Sequence, residues 1–299
     1  MTDHVLTLIS ASRDGLTAET VDAIREALRH LGADVGRPDW LAERTVCDLP
    51  FADLNDDQAD AAARALLGDA PVDVLAQPGG ERRKRLLIAD MESTLIENEM
   101  LDELADYVGK RAEIAAITAR AMNGELDFAG ALDARVKLLA GLDQSVLDES
   151  AQRIRYMPGA AALIATMQAS GAQTAIVSGG FRWYTALVAN KLGVGQEFGN
   201  NLEFKHGKLT GKVVPPILGR AAKLETLVRL ATEAGLPLAA TLAVGDGAND
   251  LDMIGAAGLG VAFRAKPIVA AQAKWRVMHG DLTALLYAQG YREGEIVAG

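Results

Sequence analysis

The chain of 299 residues is poor in cysteine, in histidine clusters and in long apolar runs. A single cysteine, Cys47, cannot form an internal disulfide, and it reads as a small buried apolar residue rather than a nucleophile. The four histidines, His4, His30, His206 and His279, are scattered without metal-ligand spacing, which leaves them structural or surface roles. No apolar stretch approaches the roughly 18 residues that a spanning helix needs. Basic residues number 30 against 40 acidic ones, a net charge of −10, so the chain lacks the positive field used by nonspecific nucleic-acid or anionic-membrane binders. Met1-Thr2-Asp3-His4 carries no positive segment leading into an apolar core. Together these absences predict a soluble protein of the reducing cytoplasm, with no nucleic-acid or membrane partner.

What is present is globular. Hydrophobic residues make up 49% and charged residues 23%, and the length suits two domains. Over the first 77 residues strand and helix patterns alternate: strands at 5–9, 45–49 and 72–76, helices at 17–31 and 56–67. Gln77-Pro78-Gly79-Gly80 breaks the pattern, and the run Glu81-Arg82-Arg83-Lys84-Arg85 reads as a solvated linker and strand entrance. We therefore expect a small α/β accessory domain over 1–80 and a second domain over 81–299.

In the second domain three apolar runs end in polar residues: 86–89 before Asp90, 174–177 before Ser178, and 241–244 before Gly245-Asp246. Helical patterns lie between them. This is the sequence form of a doubly wound parallel sheet, whose ligand crevice lies outside the carboxyl ends of the strands. Topology alone then brings Asp90, Ser178 and Asp246 to one edge. From about 100 to 155 no strand pattern occurs and helical periodicity recurs at 101–107, 112–122, 128–139 and 146–154, predicting a helical cap inserted in the core. Segments 201–204 and 208–213 around Lys205-His206-Gly207 predict a hairpin.

The chemistry concentrates at the strand ends. Asp90-Met91-Glu92-Ser93-Thr94 sets two acids close together, and beside Asp246 and Asp250 they would repel unless a hard cation shared the site. Mg²⁺ prefers oxygen ligands and suits such a set. Ser178-Gly179-Gly180 offers a hydroxyl and unblocked N–H groups to an anion. Gly245-Asp246-Gly247-Ala248-Asn249-Asp250 forms a tight strand-to-helix turn that directs Asp246 and Asp250 toward the metal region and lets Asn249 bond a ligand. Trp183 reads as packing, and neither Gly193-Val194-Gly195 nor Gly258-Leu259-Gly260 has the spacing of a dinucleotide fingerprint.

These motifs, with Lys223 in Arg220-Ala221-Ala222-Lys223-Leu224 between the second and third, resemble in their order the phosphatases of the haloacid dehalogenase superfamily. The segments Glu97 to Ala105, Gly124 to Phe128, Leu132 to Val136, Met157-Pro158-Gly159 and Ser178 to Phe181 extend the resemblance to the phosphoserine phosphatase family, from about residue 86 to 282. It implies an Mg²⁺-dependent enzyme that hydrolyses O-phospho-L-serine through an aspartyl-phosphate on Asp90, the last step of serine biosynthesis. By resemblance, the Asp90 side chain, the Glu92 main-chain carbonyl and Asp246 hold Mg²⁺, with Asp250 orienting its water. Ser178, Gly179, Lys223 and Asn249 bind the phosphoryl group, Glu99 the ammonium and Arg135 the carboxylate, while Phe128 closes over the substrate. Some relatives carry an ACT-like domain in place of the first 80 residues, which suggests amino-acid sensing or formation of a homodimer.

One position departs from the family. Where relatives carry Asp as general acid and base, this chain has Glu92, one methylene longer, and a misplacement of about 1 Å can cost on the order of 10²-fold in rate. Either the site accommodates the longer arm, or the protein is a slow enzyme or a noncatalytic sensor. Because every other motif residue is present, an active enzyme is expected. Phosphothreonine and phosphohomoserine are the alternative substrates.

Overall fold

A computed structural model describes residues 3–122 and 125–299. Gly124, part of one of the motifs above, lies outside the described residues. In chain order the first elements are β1 (His4–Ser10), α1 (Ala18–His30), β2 (Asp34–Val35), β3 (Asp39–Ala42), β4 (Val46–Ala52), α2 (Asp56–Leu67) and β5 (Val72–Pro78). The sheet runs β2-β4-β1-β5, with β3 also paired to β4, and its pairings are antiparallel. Helix α1 starts where the Thr17 hydroxyl accepts the N–H of Thr20, and α2 starts on the equivalent bond from Gln58 N–H to Asn55. Val21, Ile24 and Leu28 of α1 pack with Leu6, Leu8 and Phe51 on one sheet face.

The other face is also covered. Ile9, Val46 and Leu75 belong to the hydrophobic core of the rest of the chain, which explains why these antiparallel strands read as continuous apolar runs. Polar bonds reinforce the contact. Trp275 Nε1 donates to the Ala76 carbonyl at 2.7 Å, and the buried Asp73 carboxylate accepts the N–H groups of Met278 and Gly280, each at 2.7 Å.

The charged run 81–85 differs from its expected solvated state. Arg82 pairs with buried Asp48, and its Nη2 donates to the Thr7 hydroxyl and the Ala288 carbonyl, each at 3.0 Å. Lys84 is buried as well, and its Nζ donates to the Ala239 carbonyl at 2.9 Å. Positions 82 and 84, just before β6, turn inward, and carbonyl and carboxylate acceptors there satisfy the cations.

The second sheet begins with β6 (Leu86–Ala89), followed by four cap helices, α3 (Met100–Tyr107), α4 (Arg111–Met122), α5 (Phe128–Lys137) and α6 (Ser145–Ala151). Then come α7 (Ala160–Ala169), β7 (Gln173–Phe181), α8 (Arg182–Leu192), β8 (Gln196–Lys205), β9 (Lys208–Val214), α9 (Arg220–Glu233), β10 (Thr241–Gly245), α10 (Leu251–Ala256), β11 (Leu259–Phe263), α11 (Pro267–Ala270), β12 (Trp275–Val277) and α12 (Ala284–Ala288). Strand order is β12-β11-β10-β6-β7-β8-β9, parallel up to β8 and antiparallel at β9. The expected hairpin is there, but its first strand starts at Gln196 and pairs in parallel with β7 before turning to β9. Period-two alternation is weak across Gln196–Asn200, so that half left no mark in the sequence.

The cap leaves and rejoins the core on two adjacent stretches of chain. Met157 N–H donates to the Leu95 carbonyl at 2.9 Å, Glu97 N–H to Arg155 at 2.8 Å, and Arg155 N–H to the Asn98 side chain at 2.8 Å. Trp183 packs near Phe204, ring centroids 5.9 Å apart, as expected. Cys47 is fully buried, and burial followed by the Asp48 charge pushes its thiol up to about 12.

Because Arg82 is the only partner that reaches both Asp48 and Thr7 among the described bonds, Arg82→Leu should leave a buried carboxylate uncompensated. Urea unfolding should show a loss of about 3 to 5 kcal/mol, with much of it recovered in Arg82→Leu/Asp48→Leu. A loss below about 1 kcal/mol, the range of an exposed pair, would contradict this reading.

Candidate active site

The parallel sheet brings together, at one edge, residues far apart in sequence. Asp90 follows β6, Ser178 lies in β7 and Asp246 follows β10, whose register with β6 aligns Val244 with Ala89. Asp90, Asp246 and Asp250 present carboxylate oxygens within 4.8 Å of one another. Asp90 and Asp250 are buried and Asp246 is partly so. Three hard oxygen donors this close fit a small divalent cation.

Lys223 holds this cluster from α9. Its Nζ lies 2.7 Å from Asp90 Oδ2 and 2.6 Å from Asp250 Oδ1, and the residue has no exposed surface. Burial opposes its charge, but Asp250 and Asp90 outweigh burial and raise its pKa. The other oxygens of these two acids are also used. Asp90 Oδ1 accepts Met91 N–H at 2.7 Å, and Asp250 Oδ2 accepts Gly247 N–H at 3.0 Å. One lysine does not neutralise the set. Burial, then the charges of Asp90 and Glu99, push Asp246 up to about 7, and burial with Asp90 likewise raises Asp250.

Glu92 sits on the cap side of Asp90. Its Oε1 accepts the N–H of Met100, the first residue of α3, at 2.8 Å. Its carboxyl lies well above the usual range because of burial and the neighbouring charges of Glu99 and Asp90, with Arg135 pulling the other way. The longer arm has a place: a Cβ added at Gly180 would lie 2.6 Å from Glu92 Oε2. Gly180 thus leaves the space that the Glu92 carboxylate occupies.

The cap residues converge on the same crevice. Phe128 projects its ring between Gly179 and Gly219, where an added Cβ would approach ring atoms to 2.9 and 3.0 Å. Arg135 donates through Nε to its own helix at the Ala131 carbonyl, and its charge is felt by Glu92, Asp102 and Glu99. Glu99 Oε1 accepts the Ser93 hydroxyl at 2.7 Å. On the core side the Ser178 hydroxyl accepts Gly180 N–H at 3.0 Å, and Asn249 folds back so that its Oδ1 would lie 2.3 Å from a Cβ at Gly247. The residues picked out in the sequence are therefore gathered at one site. Sequence reading did not single out Gly219, the far wall of the Phe128 slot, or the Ser93 hydroxyl, since neither stands out without a three-dimensional neighbour.

The raised carboxyls carry a pH consequence. With a pKa above the ordinary 3.8, Asp246 and Asp250 retain protons in the folded chain that the unfolded chain has released. The stability they contribute is present at low pH and falls as pH rises through the window from that value to about 7. A divalent cation replaces those protons, so it should raise Tm more at pH 8 than at pH 6 in a thermal melt. An increment independent of pH would sink this assignment.

The chain matches the model of the haloacid dehalogenase-like hydrolases over residues 87–254. It is 41% identical over 296 residues to a phosphoserine phosphatase of Streptomyces coelicolor, an alignment covering 97% of this chain and 72% of that one. Its fold superimposes on a probable phosphoserine phosphatase of Vibrio cholerae, in unliganded form, with a TM-score of 0.79 and 29% identity, covering 98% of this chain and 88% of the other. A phospho-aspartyl intermediate analogue of a phosphoserine phosphatase aligns at a TM-score of 0.65 and 40% identity, over 69% of this chain and 98% of that one. The chain belongs to the haloacid dehalogenase-like hydrolases and, within them, is closely related to the phosphoserine phosphatases.

Proposed function

We propose that this enzyme hydrolyses O-phospho-L-serine to L-serine and phosphate, with Mg²⁺ as its cofactor and Asp90 as the group that takes the phosphoryl. The observation that carries the reading is the buried Asp90 carboxylate, bonded to Lys223 inside a cluster of three carboxylates and overhung by cap residues of both charge signs. Asp90, Asp246 and the Glu92 carbonyl would hold Mg²⁺, with Asp250 orienting its water. When bound, that ion neutralises charge on the transferring phosphoryl group.

An Asp90 oxygen attacks phosphorus and the bond to the serine oxygen breaks. Glu92, whose raised pKa keeps a proton available near neutrality, gives that proton to the departing oxygen. Glu92 then takes a proton from water as the water attacks phosphorus, and the Asp90–phosphorus bond breaks to release phosphate. Lys223, the Ser178 hydroxyl, the Gly179 N–H and Asn249 hold the phosphoryl oxygens. Glu99 receives the substrate ammonium and Arg135 its carboxylate, an arrangement that selects a zwitterionic end. Phe128 in its slot excludes water. For the N-terminal unit, the order β-α-β-β-β-α-β, in which short β3 lies off the main antiparallel path β2-β4-β1-β5, supports an ACT-like reading, in which it binds a small amino acid or pairs two copies of the chain.

Phosphate release from L-phosphoserine should require Mg²⁺ and vanish in Asp90→Asn; a higher kcat/KM for phosphothreonine or phosphohomoserine would displace the assigned substrate. Arg135→Ala should raise KM for phosphoserine far more than for an aryl phosphate, and equal effects would remove Arg135 from carboxylate recognition. Glu92→Asp should keep turnover and Glu92→Gln should nearly abolish it. Gly180→Ala, which displaces the Glu92 carboxylate, should lower kcat by about 10²-fold. Full activity in Glu92→Gln would take Glu92 out of acid–base catalysis.

A further inference from the structure

Lys266 stands outside the motifs and outside the roles given above. It follows β11, the parallel neighbour of β10, which Asp246 follows, and the register aligns Gly245 with Ala262. The chain past Phe263 therefore emerges at the carboxyl edge of the sheet, beside the carboxylate cluster. Pro267 opens α11 immediately afterwards and fixes the backbone there. Lys266 is exposed, and among the described residues its ammonium has no carboxylate within ion-pair distance and no hydrogen-bond acceptor.

Its charge nonetheless reaches both walls of the crevice. Those walls are marked by Asp246 on the core side and Glu99 on the cap side. The register sets this exposed, unpaired cation at the sheet edge where Asp90 and Asp246 lie. The crevice needs such a charge. Asp90, Glu92, Glu99, Asp246 and Asp250 set five carboxylates around it, and Lys223 already gives two of its three donors to Asp90 and Asp250.

We propose that Lys266 is a further substrate-binding residue, a free cation at the crevice mouth that draws in the phosphate end of the substrate past the surrounding carboxylates. The assignment rests on the phosphatase reading and extends it to how a dianion enters an acidic site. Exposed and unpaired, Lys266 acts on encounter and binding, whereas the bond-breaking steps belong to the buried groups. Its contribution should therefore appear in KM and in salt dependence rather than in kcat.

The test compares the full chain with Lys266→Gln and Lys266→Arg in Mg²⁺, using L-phosphoserine and p-nitrophenyl phosphate, with inorganic phosphate as competing inhibitor. Ionic strengths of about 0.01 and 0.1 M span screening lengths of about 30 and 10 Å. At the lower value Lys266→Gln should lose about tenfold in kcat/KM through KM, and bind phosphate more weakly by a similar factor. The loss should shrink at the higher ionic strength, and Lys266→Arg should restore the wild-type values. An unchanged KM and phosphate inhibition constant, a loss confined to kcat, or a loss indifferent to salt would overturn the proposal. A wild type that turns over p-nitrophenyl phosphate but not L-phosphoserine would instead overturn the substrate assignment, and the phosphate inhibition constants would still decide the role of Lys266.

Discussion

The site depends on one ammonium. Lys223 is inaccessible to solvent and bridges Asp90 to Asp250, so that three elements, β6, α9 and the turn after β10, meet at a single charge. Without it two buried carboxylates would face each other unpaired, an arrangement that costs several kcal/mol per ion in a protein interior. With it they remain crowded, as the raised pKa values of Asp246 and Asp250 record. That residual crowding gives the site its use. It attracts a divalent cation, and with the cation in place it tolerates a phosphate dianion beside an attacking carboxylate.

The acidic balance of the chain, net −10, is thus compatible with an anionic substrate because charge is sorted locally. Lys223 and Arg135 stand among the carboxylates, and the cap adds an apolar lid. Phe128 enters a slot that exists because Gly179 and Gly219 have no side chains. The same device accommodates Glu92 against Gly180. The Glu92 carboxylate is thus seated by a hydrogen bond from Met100 N–H and by the space that a glycine leaves.

Much of this was legible in the sequence. Apolar runs ending at Asp90, Ser178 and Asp246 reveal buried parallel strands, because both sheet faces are covered and the polar residue marks the crevice edge. Cap helices α3 to α6 were visible through their apolar periodicity. Other features were not. Lys223 on sequence alone is a helix lysine like any other; its burial follows from where α9 packs against β7 and α10. The run 81–85 reads as solvated because its acceptors, Asp48, Thr7 and the Ala239 and Ala288 carbonyls, come from distant segments. Strands β2, β3, β11 and β12 went unrecognised, being either very short or adjacent to glycine and alanine, whose pattern carries little period.

The central claim is that Asp90 becomes covalently phosphorylated. Quenching the enzyme during turnover of L-phosphoserine with Mg²⁺ and reducing it with borohydride should convert an acyl phosphate at Asp90 to homoserine, located by mass spectrometry of the peptide that contains it. The account predicts that residue 90 alone is converted, and only with substrate present. Turnover with an unmodified Asp90, or conversion at Glu92 or Asp246 instead, would contradict it.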